Sequence, residues 1–202
     1  MKKPVLWVIA LLIVSLSSCS PSLQSEPASP NELPVPSTSV PPPPPAGAFL
    51  GKISPEVLTK INHLPVMAPA YIPSDFVLAD YRLDGLQSYG LIYRDPKNQC
   101  FAIEYRRQPS PPENTDGLTT QSFDSPAFGA AHDLYYSPAD KADQPSQLFS
   151  QWLTNTDGSY RLVGATTIAQ NYPAQPPCQN VSPVEASKIV ISIVDLTASP
   201  TE

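Results

Sequence analysis

Glycine, histidine, cysteine and basic residues are all scarce in this chain, and each shortage closes off a class of chemistry. Eight glycines in 202 residues, none of them in a glycine-rich run, leave no backbone loop to cradle a phosphate. The two histidines, His63 and His132, lie far apart and show neither HxH nor HExxH spacing. They do not spell a metal centre, and no metal or other cofactor is expected. No GxSxG elbow surrounds any serine. Only twelve Lys and Arg stand against 18 Asp and Glu, a formal net charge of −6 with no basic cluster, which excludes nucleic acid as a partner. No apolar run reaches the roughly 20 residues that a membrane-crossing helix needs. Three cysteines, Cys19, Cys100 and Cys178, are an odd number, so they cannot all pair.

The N-terminus accounts for the odd thiol. Met1-Lys2-Lys3 is a short basic head, Val5 to Val14 is an unbroken apolar run, and small residues follow. That order is the order of a secretory signal. Its last four residues, Leu16-Ser17-Ser18-Cys19, resemble a bacterial lipobox. In lipoproteins that carry one, the cysteine is thioether-linked to diacylglycerol and the signal, here residues 1–18, is cut just before it. The alternative is an ordinary cleaved signal with an incidental cysteine beside it. Cys19 is therefore the expected lipidation site, with palmitate-type acyl chains as the membrane anchor. At about 0.8 kcal/mol per buried methylene, two chains hold a protein stably at a bilayer. Ser20 rather than Asp follows the cysteine, which resembles the enterobacterial pattern for outer-membrane sorting. The expected location is thus exported and lipid-anchored, facing the periplasm or the exterior, with a lean to the outer membrane.

Residues 19–48 form a tether. After Cys19 they read SPSLQSEPASPNELPVPSTSVPPPPPAGA, rich in proline and serine and free of aromatics. Proline fixes φ and removes a donor, so neither helix nor sheet is expected, and Pro41 to Pro45 favour a polyproline II rod. Fully extended, the segment reaches up to about 90 Å. Loss of Lys2 and Lys3 with the signal takes the formal charge from −6 to −8. What remains, residues 49–197 before a short 198–202 tail, is the size of one domain able to bury its own core.

Within that domain, Ser54-Pro55-Glu56-Val57-Leu58 opens a short helix with Ser54 as N-cap and Pro55 at the first helical position. Prolines 65, 69 and 73 make LPVMAPAYIPSDF an extended lead-in. The segments 76–84, 88–95 and 99–107 then alternate with the period of strands around a DPKN turn, which predicts an antiparallel meander. TTQSFDS and AFGAAHDLYYS read as two further strands, SQLFSQWL as a strand or a short helical turn, and GSYRLVG with ATTIAQ as another strand region. Ser182-Pro183-Val184-Glu185 is a capping box, with Glu185 expected to reach back to Ser182. Behind it, apolar residues at helical spacing predict a C-terminal helix over about 183–195. The fold class is therefore α+β: a single domain whose antiparallel sheet is packed by a C-terminal helix and a short N-terminal one.

With Cys19 spent on lipid, Cys100 and Cys178 become an even pair in an exported protein, where disulfides persist. Their bond would tie the proline-rich loop before the last helix onto the third meander strand, for about 4 kcal/mol on chain-entropy grounds. Neither cysteine sits in a CxxC or beside a basic cluster, so the pair reads as structural.

LPVMAPAYIPSDF, SYGLIYRDPKNQCFAIEYR and GSYRLVG … PCQNVSPVEASKIVISI resemble a group of small uncharacterised lipoproteins typical of cyanobacteria, over most of 64–195. More loosely, the order of these motifs is similar to a bacterial envelope domain with a curved antiparallel sheet and helices on one face. Neither resemblance brings a catalytic residue. They imply an extracytoplasmic binding or sensing module.

Function is left with three readings. The first is a non-enzymatic binding or interaction module at the membrane surface, holding an envelope protein or an apolar or glycan ligand. The second is a periplasmic lipid- or lipoprotein-handling factor with a cavity beneath the sheet, and the third a hydrolase built on His132-Asp133. Tyr71, Phe76, Tyr81, Tyr89, Tyr93, Phe101 and Tyr105 are either core or a ligand groove, to which Tyr135, Tyr136 and Trp152 could contribute. Glu104, Arg106 and Arg107 read as a solvated strand end. No individual ligand-binding residue and no oligomeric state follows from the sequence.

Overall fold

The computed structural model describes residues 53–108, 110–137 and 146–196, all within one compact unit. The signal segment, Cys19, the tether and the 198–202 tail lie outside the described residues. No helix among those residues is long and apolar enough to cross a membrane.

The domain opens with α1 (Pro55–Ile61), where the Ser54 hydroxyl accepts from the Val57 N–H at 3.3 Å. After the short strand β1 (Met67–Pro69) comes the expected meander: β2 (Val77–Asp84), β3 (Ser88–Arg94) and β4 (Gln99–Arg106). Then follow β5 (Thr119–Ser125), β6 (Gly129–Tyr136), β7 (Leu148–Ser150), β8 (Leu153–Asn155) and β9 (Gly158–Val163). The chain closes with α2 (Ala165–Asn171), β10 (Gln179–Asn180), α3 (Pro183–Ile191) and β11 (Ile193–Asp195). The main sheet runs β2-β3-β4-β9-β7-β6-β5, antiparallel throughout, with β8 paired to β9 and β10 laid parallel along β4. It is a single α+β domain built mainly on an antiparallel sheet.

Alternation along the strands sorts side chains onto two faces. Tyr89, Leu91, Tyr93, Phe101, Ile103, Tyr105, Tyr160 and Leu162 point to the face covered by α1, α3 and the β1–β11 ribbon, and all are buried. Tyr93 stacks on Phe101 at 4.9 Å and Tyr89 on Tyr105 at 5.1 Å, while Phe76 tilts against Phe101 at 5.4 Å. Such pairs contribute about 0.5–1.5 kcal/mol each beyond the area they bury. These meander rings are core packing. Tyr71, at 39% exposure, lies outside it, and half-buried Tyr81 packs against its edge.

Three local expectations need correction. ATTIAQ is the helix α2 rather than strand. Its N-terminus has no side-chain cap from Gly164; instead Asn180, from the distant β10, accepts from the Ala165 N–H at 2.6 Å. The C-terminal helix ends at Ile191, not 195, because Ile193–Asp195 pair with Met67–Pro69. At its start Ser182 accepts from the Glu185 N–H at 3.2 Å, but the Glu185 carboxylate turns to the Tyr71 hydroxyl and Lys188 rather than back to Ser182.

Candidate functional site

The second face of the sheet is apolar at one end and polar at the other. Ile92, Cys100, Ala102, Phe149 and Val163 pack there with Ile168 of α2. Two residues further along each strand the pattern becomes charged. Arg82, Gly90, Glu104 and Arg161 are register partners in one row across β2, β3, β4 and β9.

Glu104 is only 4% exposed, and its solvated reading is overturned; Arg106 and Arg107 beside it are exposed as expected. Both carboxylate oxygens are fully engaged. Oε2 accepts from Arg161 Nε at 2.7 Å and pairs with Nη2 at 2.7 Å. Oε1 accepts from Asn171 Nδ2 at 2.8 Å and from the Tyr172 hydroxyl at 3.0 Å. A charge buried this deeply is tolerable only when paired and hydrogen-bonded in this way. Burial, then the Glu104 charge, push the Tyr172 phenol well above its ordinary range, so it stays a neutral donor.

Gly90 makes that contact possible. A Cβ at this position would lie 2.7 Å from the Tyr172 ring carbon bearing the hydroxyl, closer than real Cβ atoms come. The glycine thus opens the gap through which a tyrosine from the end of α2 reaches a carboxylate on the next strand. Arg82 fastens the same helix end, donating to the Asn171 carbonyl at 2.6 Å with its guanidinium 5.9 Å from the Tyr172 ring centroid.

Above this row a groove of about 620 Å³ opens between the β2–β4 strand ends, the end of α2 and Ser110-Pro111. Arg82, Asp84, Gln87, Ser88 and Arg106 give it a polar lining. A second hollow of about 350 Å³ shares Arg106, Ser110, Pro111 and Asn171 with it and is lined further by Trp152, Arg161 and Glu113. Arg161 carries a second ion pair, to Glu113, and its guanidinium carbon lies 4.3 Å from the Trp152 ring centroid. A carboxylate that already accepts four hydrogen bonds has no lone pair left to take a substrate proton. Such a row presents fixed charges and donors to the groove above it.

The sequence-based candidates fall as follows. Cys100 and Cys178 are brought to bonding distance, with Cα atoms 5.9 Å apart, joining β4 to the loop before β10. In His132, Nε2 lies 3.1 Å from the Phe128 carbonyl oxygen and Nδ1 2.9 Å from Gln151 Nε2, so both ring nitrogens are occupied. His63 is exposed beyond the end of α1. Among the described residues no three His, Cys, Asp or Glu side chains gather as metal ligands would. The Glu104–Arg161 pair was missed. Its signal was present, since Glu104 alternates with Cys100 and Ala102 on one side of a strand whose other side is core.

Comparison with protein-family models, curated proteins and solved structures finds no match. The likeness to cyanobacterial-type lipoproteins therefore rests on the quoted residues alone.

Proposed function

We propose that this protein is a lipid-anchored component of a bacterial envelope whose domain is a non-enzymatic binding module for a polar ligand, glycan or peptide. The basic head, apolar run and Leu16-Ser17-Ser18-Cys19 support export and anchoring, and the proline-rich tether would let the domain stand off the bilayer. One observation carries the binding reading: a groove of about 620 Å³ with a polar lining lies over a charge row whose members are locked by one another. Recognition sites combine a concave surface with a few fixed polar groups, and a preorganised row loses little entropy on binding.

The groove wall is more polar than apolar, with Arg82, Asp84 and Arg106 in it, which favours a polar ligand over the lipid-handling alternative. The test is equilibrium binding of the purified protein to an oligosaccharide panel, an acidic and neutral peptide panel and acyl-lipid micelles. Retention of a glycan or peptide, with no co-purifying lipid by mass spectrometry, is the expected result. Bound acyl chains alone would replace this reading with lipid handling.

A further inference from the structure

Arg161 is buried, yet it is not closed off on all sides. Its Nε and Nη2 face Glu104 in the sheet, while Nη1 faces outward and meets Glu113. Glu113 is a poor permanent partner for it. It sits on the exposed run Pro111-Pro112-Glu113, and its side chain is 37% exposed where that of Arg161 is 5%. Among the described residues, side-chain hydrogen bonds from Arg106 to Ser110 at 2.9 Å and from Arg161 to Glu113 fasten this run to the sheet.

Beside this contact, Trp152 Nε1 is buried and has no hydrogen-bond partner among the described residues, and its indole lines the hollow with Arg161. A buried N–H without an acceptor is uncommon and calls for an explanation. Arg161, whose outward contact is a displaceable carboxylate, and Trp152, whose N–H lies unmet just beneath the surface, thus line the same hollow.

We infer that Arg161 and Trp152 form a seat for a ligand carboxylate, and that Glu113 occupies the seat until a ligand takes it. This rests on the binding-module reading. Exchange of one carboxylate for another leaves the buried charge unchanged. Glu113 returns to water at little cost because it is already partly exposed, and the planar guanidinium suits any carboxylate that replaces it. A ligand with a second oxygen acceptor near its carboxylate also satisfies the indole N–H. Peptide C-termini, with an amide carbonyl beside the terminal carboxylate, and uronic acids both carry that chemistry.

The mature protein from Cys19 on, in detergent, carries Trp152 as its only indole and reports the seat by fluorescence. Acetate, N-acetylalanine and glucuronate are titrated at constant ionic strength against wild type and Glu113→Ala. Emptying the seat should tighten carboxylate binding about two- to fivefold, the worth of one partly exposed ion pair. Whichever of N-acetylalanine and glucuronate outbinds acetate identifies peptide or sugar as the source. Glu113→Ala binding no tighter than wild type overturns the seat, as does unchanged emission in both proteins. If Glu113→Ala gains nothing while the glycan and peptide panels still bind both proteins, the seat falls and the binding reading stands. Loss of panel binding as well removes both.

Discussion

Glu104 and Arg161 face each other across adjacent strands, with Nη2 2.7 Å from Oε2, although 57 residues separate them in the chain. Their union is what turns the polar end of the sheet into a fixed surface. Removing one partner leaves the other charged and buried, at a cost of about 3–5 kcal/mol in comparable pairs. Glu104→Ala should fall in that range by urea denaturation, toward its lower end because Arg161 keeps Glu113. Replacing both residues by apolar ones of similar volume should cost less than Glu104→Ala alone. A loss below about 1 kcal/mol for Glu104→Ala would show that the pair is not a structural anchor.

Gly90 and Tyr172 should behave as a coupled pair. Gly90→Ala places a methyl against the Tyr172 ring and should destabilise by about 1–3 kcal/mol. In a Tyr172→Ala background the same substitution should cost clearly less. A double-mutant cycle measures the difference, and additive effects would mean that the two do not meet.

How much of this was open to view in the sequence depends on whether the signal is local. α1 and α3 announce themselves through Ser54-Pro55 and Ser182-Pro183, and the meander through alternation, because caps and strand periods are short-range. α2 escaped because its cap comes from Asn180, fifteen residues on, and because Thr166, Thr167 and Ile168 are β-branched. β11 escaped because Ile193 and Val194 continue the apolar spacing of α3; only the pairing with Met67–Pro69 makes them strand. The same limit hid the site. Glu104 was visible on a buried side of β4, but its partners Arg161, Asn171 and Tyr172 arrive from elements far along the chain.

Alkaline pH should unfold the protein before Tyr89, Tyr93, Tyr160 and Tyr172 ionise. Burial raises the phenols of Tyr89, Tyr93, Tyr160 and Tyr172 far above their unfolded values, which lie near 10. Folding thus favours the neutral form. The stabilisation is complete below about pH 10 and is lost as pH rises beyond it, because the unfolded chain gives up protons first. The urea midpoint should drop steeply above about pH 10, with the tyrosinate absorbance of these four phenols appearing together with unfolding. A flat midpoint through about pH 11 would contradict this.

The Cys100–Cys178 bond ties the loop before α3 to β4 across 78 residues. Reduction, or Cys100→Ala with Cys178→Ala, should cost about 2–4 kcal/mol. Thiol labelling of the unreduced protein should find neither cysteine free.

Anchoring is checked by cell fractionation. Cys19→Ala should move the protein from the membrane to the soluble fraction, and a variant that stays membrane-bound would remove the lipid anchor from the account.

The central claim is that the polar groove over the Glu104 row is where a ligand binds. Gln87 is exposed at its rim, away from the buried network, so Gln87→Trp should fill the mouth without disturbing the fold. The decisive measurement is calorimetric titration of wild type and Gln87→Trp with a cell-wall glycopeptide digest, alongside their melting temperatures. The account predicts saturable binding to wild type, a loss of at least about tenfold in Gln87→Trp, and matching melting temperatures. Equal binding by both proteins, or none by wild type to this digest and to the oligosaccharide and peptide panels, would contradict it.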